Sequence, residues 1–154
     1  MHVAVAHYPE GAGHATRMLA VARELEARGA RVSLAGGGPG ERFADLLGYD
    51  EYVPTRVDFI GDYQDGGGLR DVLTGSLPDS ARRVRDFYRW LSRTDPDALV
   101  TDDMFAAMAA PLARVPLYVS THNAPGLYDD LAERAGAWGL TAYQVAAARE
   151  FLFP

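Results

Sequence analysis

Three segments carry residue types that could do acid–base chemistry. Gly11-Ala12-Gly13-His14 has Arg17 three residues further on, Asp102 and Asp103 are adjacent, and Thr121-His122-Asn123 is a polar run. A histidine with a carboxylate partner can remove a proton from a hydroxyl: the imidazole accepts the proton and the carboxylate steadies the resulting cation. Glycines beside such a histidine let backbone approach a ligand. A helix beginning there turns unpaired N–H groups and partial positive charge towards that ligand. The same helix end disfavours the imidazolium, which suits His14 to act as a base near neutral pH; the alternative is a surface histidine that only helps to cap the helix. Arg17 falls on the same helical side as His14, placed either to hold an anionic or hydroxyl-bearing group or to remain solvated. Of the two aspartates, Asp102 is expected to do the chemistry and Asp103 to cap the next helix. Gly11, Gly13, Arg17, Asp103, Thr121, His122 and Asn123 form the candidate ligand-binding set.

These segments are far apart in sequence, so the elements between them must bring them together. Residues 2–7, 31–35, 98–101 and 117–120 read as strands. Residues 14–28 read as a helix stopped by Gly29, and 41–47 as a short helix stopped by Gly48. Residues 78–93 form a helix with Val84, Phe87, Tyr88 and Leu91 as its apolar face, and residues 104–113 an alanine-rich helix. Strand-like material at 52–53 and 57–60 is interrupted by Pro54. A polar glycine-rich loop covers 61–68, a helical turn 69–74, and further helices 127–135 and 141–151. Strands alternating with helices predict an α/β domain: a Rossmann-like, doubly wound, mostly parallel sheet with helices on both faces. Ligands of such sheets settle at the carboxyl ends of the strands. His14, Asp102 and His122 each follow a strand, and are expected to converge on one crevice.

Composition removes several other chemistries. The 154 residues suit one domain, and a net charge of -6 disfavours a protein whose task is to neutralise phosphate backbones, so no nucleic-acid partner is expected. There is no cysteine, which excludes disulfides, thiolate metal sites and a cysteine nucleophile. All 15 cationic side chains are arginine, which excludes a P-loop or Schiff-base lysine. A dinucleotide fingerprint would place a third glycine where Thr16 stands and an acidic residue where Ala35-Gly36-Gly37-Gly38 follows the second strand. No metal-ligand spacing and no Gly-x-Ser-x-Gly elbow is present, and the glycines at 36–40 and 66–68 read as flexible turns. With a mean hydropathy of -0.14 and no long apolar run, no transmembrane helix is expected. The first residues enter a strand directly, without a basic leader and apolar stretch, so the expected location is the cytoplasm. The helix at 78–93 reads as packed with a solvated arginine face, contact with a membrane surface being the alternative.

Gly11-x-Gly13-His14-x-x-Arg17, followed by Leu19-Ala20-Val21-Ala22-Arg23-Glu24-Leu25 and Arg28-Gly29-Ala30-Arg31-Val32, resembles the opening of GT-B glycosyltransferases. The resemblance points to the branch of lipid II-forming N-acetylglucosaminyltransferases and UDP-glycosyltransferases, and to related archaeal predicted glycosyltransferases. Asp95-Pro96-Asp97-Ala98-Leu99-Val100-Thr101-Asp102, then Ala113-Arg114-Val115-Pro116-Leu117, is similar to the later part of the same N-terminal domain. The likeness covers most of residues 1–121 and is diffuse over 48–94. It implies one half of a two-domain enzyme, the half that holds a sugar or lipid acceptor. It implies that His14 matches the base of many members and Asp102 the aspartate paired with it in some branches. The nucleotide-sugar donor, a UDP-sugar, would be held by a C-terminal domain or separate subunit that these residues do not include, and the chain is expected to be inactive without it. No metal or other cofactor is implied. Two other readings stand beside this one: a non-catalytic Rossmann-type module binding a small ligand, and half of a sugar-nucleotide epimerase.

Overall fold

The computed structural model describes residues 1–57 and 77–120. Strand β1 (His2–Ala6) is buried along its whole length, as a strand covered on both faces of a parallel sheet must be. Helix α1 (Ala12–Ala27) follows, then β2 (Arg31–Ala35), a 3-10 turn at Gly38–Gly40, α2 (Glu41–Leu46) and β3 (Glu51–Tyr52). After these come α3 (Leu77–Thr94), β4 (Ala98–Thr101), α4 (Met104–Ala113) and β5 (Leu117–Val119). The strand order is β3-β2-β1-β4-β5. β1 is parallel to both β2 and β4, and β2 is parallel to β3. The chain therefore winds outward from β1 through β2 and β3, then returns to start again at β4 on the other side. The switch point lies between β1 and β4, and the crevice above their carboxyl ends is where such sheets take ligands.

The period of two along β1 builds a separate core on each face of the sheet. Val3 and Val5, with Leu34, meet Met18, Leu19 and Ala22 of α1 and Ala44 of α2. Ala4 and Ala6, with Ala35 and Leu99, meet Phe87, Trp90 and Leu91 of α3 and Phe105, Ala106, Ala109 and Ala110 of α4. The small strand side chains on this second face leave room for its aromatic helix residues. The α/β sheet with helices on both faces is thus as the sequence predicts.

Several elements differ in detail. The buried stripe of α3 is Arg83, Phe87, Trp90 and Leu91, whereas Tyr88 is exposed. Steps of four, three and one define the inward face, and it is rotated from the expected one because Arg83 occupies it. The expected strand at 57–60 is not found at its described end: β3 stops at Tyr52, and Val57 is buried outside any strand. Pro54 has no N–H to continue a ladder. Residues 58–60, 61–68, 69–74, 127–135 and 141–151 lie outside the described residues. Among the described residues no helix is long and apolar enough to cross a membrane.

Three helices end with one hydrogen-bond pattern. Ala30 N–H donates to the Leu25 carbonyl and Gly29 N–H to that of Glu26; Tyr49 and Gly48 do the same to Ala44 and Asp45; Val115 and Arg114 to Ala110 and Pro111. This is the Schellman arrangement, which puts the next-to-last residue in the left-handed region. Gly29 and Gly48 take that conformation freely, but at the third site it falls on Arg114, at φ 58°. Arg114→Gly is therefore expected to stabilise the chain by about 1 kcal/mol, read as a rise in the urea midpoint. A lower midpoint would show that the Arg114 side chain contributes more than its backbone costs.

Candidate functional site

The pairing of β1 with β4 runs to the ends of both strands, Ala6 opposite Thr101. The loop leaving β1 and the turn leaving β4 therefore rise from the same edge of the sheet. Tyr8 N–H donates to Asp102 Oδ1 at 2.9 Å, tying loop to turn. His14 lies in the first turn of α1, and its Nδ1 is 2.9 Å from Asp102 Oδ2. A carboxylate only accepts, so Nδ1 carries the hydrogen and the lone pair of the neutral ring resides on Nε2. The Asp102 side chain is 3% exposed and that of His14 31%, so the carboxylate is secluded while the imidazole reaches solvent. Tyr8 meets the His14 ring edge-on, with centroids 5.6 Å apart. Arg17 Nη2 stands 3.9 Å from the same Asp102 oxygen, close enough to contribute charge but beyond hydrogen-bond length.

Gly11 caps α1 without a side-chain hydrogen bond, and the first turn holds no acidic residue. Its partial positive charge is therefore not offset from within that turn. A Cβ at Gly13 would meet nothing within 4 Å among the described residues, so no packing contact with them explains a glycine at a helical position. His14, Arg17 and Asp102 thus come together at the end of α1 that carries Gly11 and Gly13. Thr121, His122 and Asn123 lie outside the described residues.

Asp103 is corrected as a ligand-binding candidate. Its side chain is wholly buried. Oδ1 accepts from Phe105 N–H at 2.7 Å and Ala106 N–H at 3.1 Å, capping α4 as the sequence predicts. Oδ2 accepts from Arg83 Nη2 at 2.6 Å and Nε at 3.2 Å. With both oxygens engaged and no exposure, Asp103 secures the turn that carries Asp102 and does not face a ligand.

A second histidine–carboxylate pair was not singled out from the sequence. His7 Nε2 is 2.5 Å from Glu51 Oε1, and His7 Nδ1 is 3.0 Å from the Tyr8 carbonyl oxygen, with both side chains buried. The carbonyl can only accept, so Nδ1–H donates to it, and Nε2 shares its proton with Glu51. The glycine loop after β2, read from sequence as a flexible turn, houses this ring: a Cβ at Gly36 or Gly40 would run into the imidazole. The available signal was the strand alternation, since His7 continues the Val3, Val5 face into the core. Burial favours the neutral ring, but the hydrogen bonds to Glu51 and Tyr8 outweigh it and raise the His7 pKa above 6.5. A raised histidine stabilises the fold fully below its unfolded pKa, and this stabilisation is lost as pH rises through the folded value. The urea midpoint is therefore expected to fall as pH rises from 6.5 towards 9, and to fall less in a His7→Leu/Glu51→Leu variant. Equal slopes in the two proteins would contradict a charged His7. Among the described residues no group of three histidine, aspartate or glutamate side chains is arranged to hold a metal ion.

A family model described as Glycosyl transferase 4-like domain matches residues 12–152. The chain is 26% identical over 119 residues to an uncharacterized glycosyltransferase of Methanosarcina mazei, a match covering 74% of this chain and 31% of that relative. Among solved structures, it superposes on MurG of Acinetobacter baumannii with a TM-score of 0.58 at 20% identity, covering 77% of this chain and 34% of that one. It superposes on the Streptomyces sp. SF2575 glycosyltransferase SsfS6 with a TM-score of 0.61 at 16% identity, covering 92% and 47% respectively. The fold is thus that of these glycosyltransferases, and the chain spans about a third of the length of the curated relative it matches.

Proposed function

The chain belongs to the glycosyl transferase 4-like domain family, and on that footing we propose that it is the acceptor-binding half of a nucleotide-sugar-dependent glycosyltransferase, with His14 as general base and Asp102 as its partner. The observation that carries this reading is the 2.9 Å bond between His14 Nδ1 and Asp102 Oδ2 at the switch point of the sheet. His14 Nε2 takes the proton of an acceptor hydroxyl as the hydroxyl oxygen attacks the anomeric carbon of the donor. The new carbon–oxygen bond forms while the bond to the nucleoside diphosphate breaks, and that electron pair leaves with the diphosphate. Asp102 holds the ring through Nδ1–H and stabilises the imidazolium. The α1 N-terminus and Arg17 offer positive charge to anionic groups beside the reacting atoms. The donor, a UDP-sugar, is bound by a second domain or subunit, and the reaction uses no metal ion.

The test joins residues 1–154 to the donor-binding part, as a longer protein or a co-expressed subunit, and measures UDP-sugar binding and transfer. Binding and transfer by the joined protein are expected, with no transfer by residues 1–154 alone. A joined protein that binds no nucleotide sugar would overturn the reading. Gly13→Ala adds a methyl where the acceptor approaches, and in the joined protein it is expected to lower transfer while raising stability by about 1 kcal/mol. Unchanged transfer would move the acceptor away from this turn of α1.

A further inference from the structure

We infer that His7 is a positioning residue for the His14–Asp102 pair, acting through the Tyr8 peptide. This rests on the transferase reading for its catalytic consequence but not for its geometry. A continuous chain of hydrogen bonds leads from the sheet edge to the surface histidine. Glu51 Oε1 accepts from His7 Nε2 at 2.5 Å, and His7 Nδ1 donates to the Tyr8 carbonyl at 3.0 Å. Tyr8 N–H donates to Asp102 Oδ1 at 2.9 Å, and Asp102 Oδ2 accepts from His14 Nδ1 at 2.9 Å. Tyr8 thus has its carbonyl held by one histidine while its N–H holds the carboxylate that orients the other. The residue lies in the loop just beyond β1, and His7 constrains its carbonyl through Nδ1. The backbone continuation is consistent with this, because His7 N–H itself donates to the Ala35 carbonyl at 3.0 Å, extending the β1–β2 ladder to the histidine.

The surroundings are built for an imidazole rather than for an apolar filler. Two glycines, Gly36 and Gly40, stand where any side chain would collide with the ring, and the ring is wholly buried with a carboxylate on one nitrogen and a carbonyl on the other. A leucine or phenylalanine would fill similar space without those partners, at no cost in burying polar atoms. Each link from Glu51 Oε1 to His14 is made, while Glu51 Oε2 is buried without a hydrogen-bond partner among the described residues, and the far end of the network is the proposed base.

The experiment uses the chain itself, labelled with nitrogen-15 and carbon-13. In the unmutated protein a through-hydrogen-bond coupling between His7 Nδ1 and the Tyr8 carbonyl carbon is expected, and its absence overturns the proposal without recourse to any variant. His7→Leu/Glu51→Leu removes ring and carboxylate together, leaving no unpaired buried charge. Its His14 Nδ1–H resonance is expected to exchange with water at least tenfold faster than in the unmutated chain. Glu51→Gln keeps the Nδ1–H bond to Tyr8 and is expected to retain the slow exchange. A folded double variant with unchanged His14 exchange, or a Glu51→Gln chain that loses it, would each overturn the role assigned to His7. In the joined enzyme the double variant is expected to lower kcat by about 10-fold to 100-fold with the donor KM unchanged. If the unmutated joined enzyme transfers no sugar, the transferase reading fails while the resonance measurements still decide the role of His7.

Discussion

His14→Ala in the joined transferase is expected to lower kcat by about 10²- to 10⁴-fold, the range that a positioned general base contributes. The donor KM should barely move, because the imidazole is assigned to the acceptor hydroxyl and not to the nucleotide. Asp102→Asn tests the partner separately. Asp102 Oδ2 accepts from His14 Nδ1, and an asparagine placed there with its amide nitrogen towards the ring would present a donor to a donor. The ring would be pushed to the opposite tautomer, with its hydrogen on Nε2 and no lone pair for the acceptor proton. Asp102→Asn should therefore cost kcat nearly as much as His14→Ala, and the double variant little more than either alone, since the two groups act as one unit. Additive losses would show that Asp102 does something other than serve His14. Full activity in His14→Ala would remove the base from the proposed reaction.

Arg83→Met carries the largest expected effect on stability. Arg83 is 1% exposed and Asp103 wholly buried. The guanidinium donates twice to Asp103 Oδ2, once to the Thr55 carbonyl at 2.9 Å, and lies 5.0 Å from the Phe87 ring centre. Removing the cation leaves a carboxylate in the core with only helix N–H groups to satisfy it, a change that costs about 3–5 kcal/mol. Arg83→Met/Asp103→Asn should recover at least half of that loss, because asparagine still caps α4 and no charge remains buried. Urea unfolding of the two variants separates a cost of stranded charge from a cost of lost packing. If the double variant is no more stable than Arg83→Met, the packing of the arginine stem, and not its charge, is what holds α3 to α4. The pair also bears on the site, since Asp103 fixes the turn on which Asp102 sits.

Among the described residues, most of the secondary structure was written in local sequence. The helix over α4 is predicted and found at Met104–Ala113. Gly29 and Gly48 end their helices as expected because a left-handed residue is needed there and glycine adopts it at little cost. Strand alternation with helices, and the glycine–histidine segment after β1, were enough to predict the sheet and to pick out His14 and Asp102. Apart from the strand expected at 57–60, the departures involve side chains whose fate depends on partners remote in sequence. Arg83 belonged by residue type to the solvated face of α3, and Asp103, 20 residues on, with the Thr55 carbonyl, 28 residues back, draws it inward. Asp103 read as the cap of α4 and also stood in the candidate ligand-binding set until that arginine took its second oxygen. Gly36 and Gly40 read as a flexible turn because the ring they accommodate comes from the neighbouring strand.

The amino-acid order by itself determined which segments become strands and helices, since backbone propensity, apolar periodicity and end-capping act within a few residues. It also set the chemical types available: imidazole and carboxylate, no thiol and no lysine. Tertiary structure alone decided that His14 and Asp102, 88 positions apart, share a hydrogen bond, and that His7 and Arg83 are buried against Glu51 and Asp103. The physical reason is that burying a polar or charged group is favourable only where its partner is already held in place, and that placement is fixed by the register of β1 against β2 and β4, a property of the assembled sheet.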